Sequence, residues 1–131
     1  MHPFLMSAGL LGLLSVVFGA FSEHALRPNV DAESFRFLMT AVRYNQVHAV
    51  ALLALALGLA APLSAASVAR IRLAAWLMLV GTLLFSVSIY FAILLDNLQL
   101  TYLTPIGGIT LMLAWAVIIW AGWKARKGAH L

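Results

Sequence analysis

The chain has 131 residues, a formal net charge of +4 and no cysteine. Its residues are 64% hydrophobic and 9% charged, with a mean hydropathy of +1.03, outside the range of soluble domains. This composition excludes disulfides, thiolate metal sites, covalent c-type haem and cysteine nucleophiles. It also makes the positive surplus a signal of membrane topology rather than of nucleic-acid binding.

Four apolar runs, Phe4 to Ser22, Val47 to Ser67, Leu73 to Leu95 and Leu103 to Trp123, each reach the ~20 residues that a helix needs to cross ~30 Å of hydrocarbon. They predict an all-α integral membrane protein, a single domain over 1–131 made of four transmembrane helices in an antiparallel bundle. The first run follows "MHPFLMSAG", which lacks the Lys or Arg of a signal-peptide n-region. It is also longer than the usual ~7–15 apolar residues, so it reads as a retained helix. Ala8, Gly12, Ser15, Gly19 and Ser22 form a stripe of small residues, which in lipid predicts close backbone packing.

Pro28 and Asn29 end that helix, and Asp31 suits the N-cap of the next. Phe35, Leu38, Met39 and Val42 then recur at helical spacing. This amphipathic segment before the second span either lies at the interface or forms the first turns of a long, tilted span. The second span closes in "AAPLSAAS", the third runs from Arg72 to Asp96, and "LTPIGG" opens the fourth. There Thr104 suits a cap and Pro105 the first helical position. Gly107, Ala114 and Ala121 form a sparser small stripe, and Trp76, Trp115, Trp120, Trp123 and Tyr102 read mostly as interfacial aromatics. Arg70, Arg72, Lys124, Arg126 and Lys127 on one side outnumber Arg27, Arg36 and Arg43 on the other, which places both termini in the cytoplasm.

Polar side chains inside spans are costly, so their positions carry the functional information. Tyr44 and His48 share one helix face, as do Ser86 and Tyr90 around Ser88. An up-down path brings them to the same outer half as His24, Thr104, Gly107 and Gly108. Interhelical hydrogen bonding alone would account for such a cluster, and so would a site for a small ligand or lipid. His24 and His48 with Glu23 or Asp96 offer metal-ligand chemistry, but the spacing is no metal motif, so neither metal nor cofactor is expected. Gly107 and Gly108 could present N–H groups to an anion, or could pack against another backbone. Glu23 beside Arg27 reads as a solvated end-of-helix charge. No catalytic triad, Walker loop, haem-ligand pair or paired carboxylates occur, so an enzyme has no residues to stand on.

The motifs "GAFSEHAL" at 19–26, Tyr44 with "HAVALL" at 48–53, "LFSVSIY" at 84–90 and "TPIGG" at 104–108, followed by Trp115, resemble the domain-of-unknown-function 423 family, also called the transmembrane protein 256 family. The resemblance covers nearly the whole chain and implies a small multi-pass protein of the bacterial inner membrane. The expected function is non-enzymatic: binding a small ligand or lipid in the outer-half site, or supporting a larger membrane complex. The alternative is a minimal oligomeric transporter or channel. The expected partners are the lipid bilayer and either further copies or a larger complex, with no nucleic acid. Runs such as "ALLALALGLA" leave the inner half apolar, against a continuous aqueous path.

Overall fold

The computed structural model describes the backbone of residues 2–128 and the side chains of residues 2–125. The side chains of Arg126 and Lys127, part of the topology count, lie outside the described residues. Helix α1 (His2–Phe21) runs into a π turn at Ser22–Leu26. Asn29 then donates from Nδ2 to the Ala25 carbonyl at 2.8 Å. Asp31 caps α2 (Ala32–Gly58) by accepting the Ser34 N–H at 2.9 Å and the Ser34 hydroxyl at 2.8 Å. The Ser34 amide, which favours the charged form, holds the Asp31 carboxyl below the usual carboxylate range.

Helix α2 is one continuous rod of 27 residues, so the amphipathic segment is its first turns. The expected second span, Val47 to Ser67, is corrected at its far end. Helix α2 stops at Gly58, because Pro62 disfavours helical backbone before it. Ser64 then caps α3 (Ala65–Thr82), accepting the Ser67 N–H at 3.2 Å. A π turn at Leu83–Val87 joins α3 to α4 (Ser88–Leu94). Helix α4 ends with Asp96 in the left-handed region, φ 49°. Asn97 there donates to the Ala92 carbonyl at 2.9 Å, which satisfies an orphan carbonyl as a Schellman turn does. A 3-10 turn, Leu98–Tyr102, leads into α5 (Leu103–Gly128). Its start is capped by Asn97, which accepts the Gln99 N–H at 3.2 Å. Thr104 is therefore not the cap: the preceding turn occupies the entry, and its hydroxyl faces α4 instead.

Three of these rods, His2–Leu26, Ala65–Leu94 and Leu98–Ala125, are long and apolar enough to cross a membrane. Helix α2 is long enough but less apolar, because Arg43, Asn45, Gln46 and His48 fall within it. With no strand among the described residues, this is an all-α membrane protein. Helix α1 packs on α2, and α2 and α5 both pack on the α3–α4 rod. Two apolar clusters fill the bundle: Phe4, Ala8, Leu11, Leu52, Met78 and Leu111 with small residues around them, and Leu38, Val42, Ile89 and Tyr90 with Ala41. Along α2, Asn45 and His48 fall between the two.

The small-residue stripe of α1 needs a further correction. Ala8, Leu11, Ser15 and Ser22 are buried. A Cβ at Gly12 would instead meet nothing within 4 Å, and one at Gly19 only Val42 Cγ1 at 3.5 Å. Gly12 points into an open groove, so it does not bring backbones together. The close approach lies between α5 and the α3–α4 rod. A Cβ at Gly107 would strike the Phe85 backbone nitrogen, with the Leu84 carbonyl carbon at 2.8 Å. At Gly81 it would meet Leu111 Cγ at 2.8 Å. Gly107→Ala should therefore lower thermal stability in detergent by about 1–3 kcal/mol, as overpacking does. Gly12→Ala should stay within about 0.5 kcal/mol of the wild type. Equal melting temperatures for the two variants would remove this contact as the tight one.

Candidate functional site

At 100° per residue, positions 43–48 distribute their side chains around α2. Asn45 is fully buried and donates from Nδ2 to the Tyr90 hydroxyl at 3.2 Å. The Tyr90 ring stacks on Phe18 of α1, centroids 3.9 Å apart. One turn before Tyr90, Ser86 donates to the Ala41 carbonyl of α2 at 2.8 Å. Ser86 and Tyr90 thus tie the third rod to α2 on a closed face.

His48 lies ~60° around α2 from Asn45 and meets α5 instead. Its Nε2 lies 3.2 Å from Trp115 Nε1 of α5, and its Nδ1 lies 2.7 Å from the Tyr44 carbonyl. An indole nitrogen only donates, so Nε2 must accept, and Nδ1 carries the proton given to Tyr44 O. Both ring nitrogens are spent on structure, leaving neither for a metal. Consistent with that, no group of three or more His, Cys, Asp or Glu side chains comes together among the described residues. Tyr44 stacks on Phe85 at 4.4 Å and on His48 at 5.7 Å.

Ser88 and Thr104 pair at 3.1 Å between α4 and α5. Ser88 also lies 2.6 Å from the Leu84 carbonyl. Its single proton goes there, so the Thr104 hydroxyl donates to Ser88. Gly107 packs backbone to backbone at the π turn, and Gly108 faces the Phe85 ring, where a Cβ would stand 3.7 Å away. Both lie past the first helical turn, where N–H groups bond back along the helix, so they present no donors to an anion.

His24 does not join these residues. It is exposed and makes no hydrogen bond among the described residues, whereas Ser22, two positions earlier, is buried. Two helical positions point to nearly opposite sides, so turning Ser22 inward turns His24 out. Glu23 pairs with Arg27 at 2.8 Å on the exposed side.

Between α2 and α5, which do not pack closely on each other, runs an open groove of about 490 Å³. Its walls are mainly Tyr44, Val47, His48, Phe85, Met112 and Trp115, with Gly108 and Leu111 at the floor and Arg43 beside Tyr44. Trp115, Phe85 and Asn45 were not among the expected site residues. The available signal was depth: Trp115 sits twelve positions into α5, far in for an interfacial aromatic, and an indole N–H away from water needs an acceptor. A double-mutant cycle on His48→Leu and Trp115→Phe, read by reversible unfolding in mild detergent, should return a coupling of about 0.5–2 kcal/mol. Strictly additive losses would mean that the two side chains are not bonded.

A family model described as "Protein of unknown function (DUF423)" matches residues 18–108. The chain is 30% identical over 126 residues to a UPF0382 membrane protein of Haemophilus influenzae, covering 96% of this chain and 98% of that one. It is 32% identical over 124 residues to the UPF0382 membrane protein YwdK of Bacillus subtilis, covering 95% and 98%. To the UPF0382 inner membrane protein YgdD of Escherichia coli K12 it is 29% identical over 122 residues, covering 88% and 85%. No solved structure matches the chain. The chain belongs to the DUF423 family, and with these relatives and its apolar helices it is a protein of the bacterial inner membrane.

Proposed function

We propose that this protein is a non-enzymatic, four-span membrane protein that holds one lipid or small amphiphile in the groove between α2 and α5. The observation that carries the reading is the groove itself. Its walls are mainly aromatic and aliphatic, with Arg43, Tyr44 and His48 among them, and its volume of about 490 Å³ lies within the ~300–1,000 Å³ of small-molecule sites. His48 serves it by fixing Trp115 as a wall, not by chemistry. The Tyr44 side chain, 42% exposed, makes no hydrogen bond among the described residues and leaves its hydroxyl for a ligand.

Packing supports the reading of α2 as a fourth span. Helix α2, at ~1.5 Å per residue, is ~40 Å long and packs against both α1 and the α3–α4 rod, so it shares their slab. Two of its polar side chains are covered by neighbouring rods, Asn45 by Tyr90 and His48 by Trp115, while Arg43 and Gln46 stay exposed. The outer-half placement of the groove rests on the charge bias. Arg70 at the start of α3 stacks over Trp120 near the end of α5, 5.3 Å from the ring centroid, so both mark one end of the bundle. A reporter active only in the periplasm, fused after Leu131, should stay silent. Strong activity would turn the bundle over and put the groove in the cytoplasmic half.

A second reading, assembly with further copies, is favoured by one observation. A groove of about 460 Å³ between α1 and α2 is lined by Gly9, Gly12, Val16, Gln46, Val50 and Leu53, among others. The exposed Gln46 amide makes no hydrogen bond there among the described residues.

Groove filling tests the leading reading. Gly108→Leu adds bulk where a Cβ meets only the Phe85 ring at ordinary contact, 3.7 Å. Native mass spectrometry of gently extracted protein should show one bound lipid or amphiphile per wild-type chain. At an unchanged melting temperature, Gly108→Leu should lose most of it. Equal retention by both proteins, or none by the wild type, would sink the reading; the same spectra report stoichiometry.

A further inference from the structure

Arg43 differs from most of the other basic side chains among the described residues, sharing its lack of a partner with Arg72, which is exposed near the start of α3. Arg27 and Arg36 pair with Glu23 and Glu33, and Arg70 and Lys124 lie over the rings of Trp120 and Trp123. Arg43 has no ion pair, hydrogen bond or ring contact among the described residues, although it lines the α2–α5 groove. It lies eleven positions into α2, on a helix flanked on both sides by rods that can cross a membrane. A lone guanidinium at this depth is costly unless it snorkels to the headgroup level or meets an anion. No acidic side chain lines the groove to provide one.

We infer that the groove takes an anionic phospholipid, with its phosphate on Arg43 and one acyl chain along Val47, Leu111 and Met112. This rests on the amphiphile-binding reading above and narrows it to one chemical class. The guanidinium presents a planar fork of donors that matches a phosphate bidentately, which a Lys ammonium does not. Tyr44, the next residue, offers a second donor. The apolar walls select against free phosphate, which has nothing to bury there. Gly108 at the floor keeps the groove open for a chain, since it contributes no side chain.

The test uses the full chain, stripped of lipid in detergent and incubated with phosphatidylglycerol or with phosphatidylcholine, then read by native mass spectrometry. The wild type should retain phosphatidylglycerol about tenfold better than phosphatidylcholine, whose choline cation offsets the charge of its own phosphate beside Arg43. Arg43→Gln should bring that ratio below about twofold, with the larger loss on phosphatidylglycerol, and Arg43→Lys should keep part of the preference. Excess inorganic phosphate should not displace the lipid. Equal retention of both lipids by the wild type overturns the inference while the groove reading stands, provided that Gly108→Leu still loses both. Retention of neither lipid overturns both readings. Displacement by inorganic phosphate, or a lipid-free pair of chains in place of the lipid complex, overturns the assignment of a phospholipid.

Discussion

Lipid offers a polar side chain no hydrogen bond, and the polar segment of α2 is where that constraint bears hardest. An unsatisfied group facing hydrocarbon costs several kcal/mol, whereas an interhelical bond contributes only about 0.6 kcal/mol. The avoided penalty, more than the bond, fixes the arrangement. Asn45 reaches Tyr90 through Nδ2, its Oδ1 staying without a partner among the described residues, and His48 reaches Trp115. Asn45 and His48 are three apart, ~60° around α2, so one broad face of it meets two neighbours, α4 through Tyr90 and α5 through Trp115. Helix α2 is thereby made central even though it is the least apolar of the four rods.

The groove follows from a second contact that acts on the same rods. Gly107 lets α5 press its backbone against the π turn at Leu83–Val87, which draws α5 towards the α3–α4 rod. Helix α5 then cannot also lie close on α2. The gap left between them is spanned by His48 on Trp115, with Tyr44 stacked on Phe85 of the π turn beside it. A side chain at 107 would separate α5 from Phe85 and break the wall that Tyr44 stacks on. One glycine, 59 positions from His48 in the chain, thus sets the width of the site that His48 helps to line.

Much of the fold was legible in the sequence because its signals are local. Asp31 as an N-cap, Pro62 with Ser64 as a helix break, and apolar runs of spanning length each depend on neighbours within a few residues. The i,i+4 faces of Tyr44 with His48 and Ser86 with Tyr90 were legible for the same reason. What the faces look at was not. Ser86 and Tyr90 turn to Ala41 and Asn45 on the closed side, while Tyr44 and His48 turn to Phe85 and Trp115 on the open side. Two faces on one helical level read as one cluster until the azimuth of each neighbouring helix is known. The π turns compound this, since a wide turn shifts the facing of every later residue and has no compositional mark. The glycine stripe of α1 misled for a related reason: small residues at helical spacing show which face allows close approach, not whether a neighbour takes it.

The same azimuths bear on the two kinds of function. A conducting path needs polar or open space through the whole depth of the bundle. Past His48 towards the end of α2, the buried positions are Ala49, Leu52 and Ala56, packed on Ala75, Met78 and Ala114. Among the described residues, no buried polar side chain of α2 lies past His48, and the small side chains there close the gap between helices. The open space lies on the flank between α2 and α5, where a ligand would enter sideways from the bilayer. Sideways entry suits a molecule already dissolved in lipid, with a head that stays near the surface and a tail that exchanges one apolar environment for another. Such a ligand gains little from its tail, because lipid is as apolar as the groove. The discrimination therefore has to come from the few polar groups at the mouth, which is where Arg43 and Tyr44 stand.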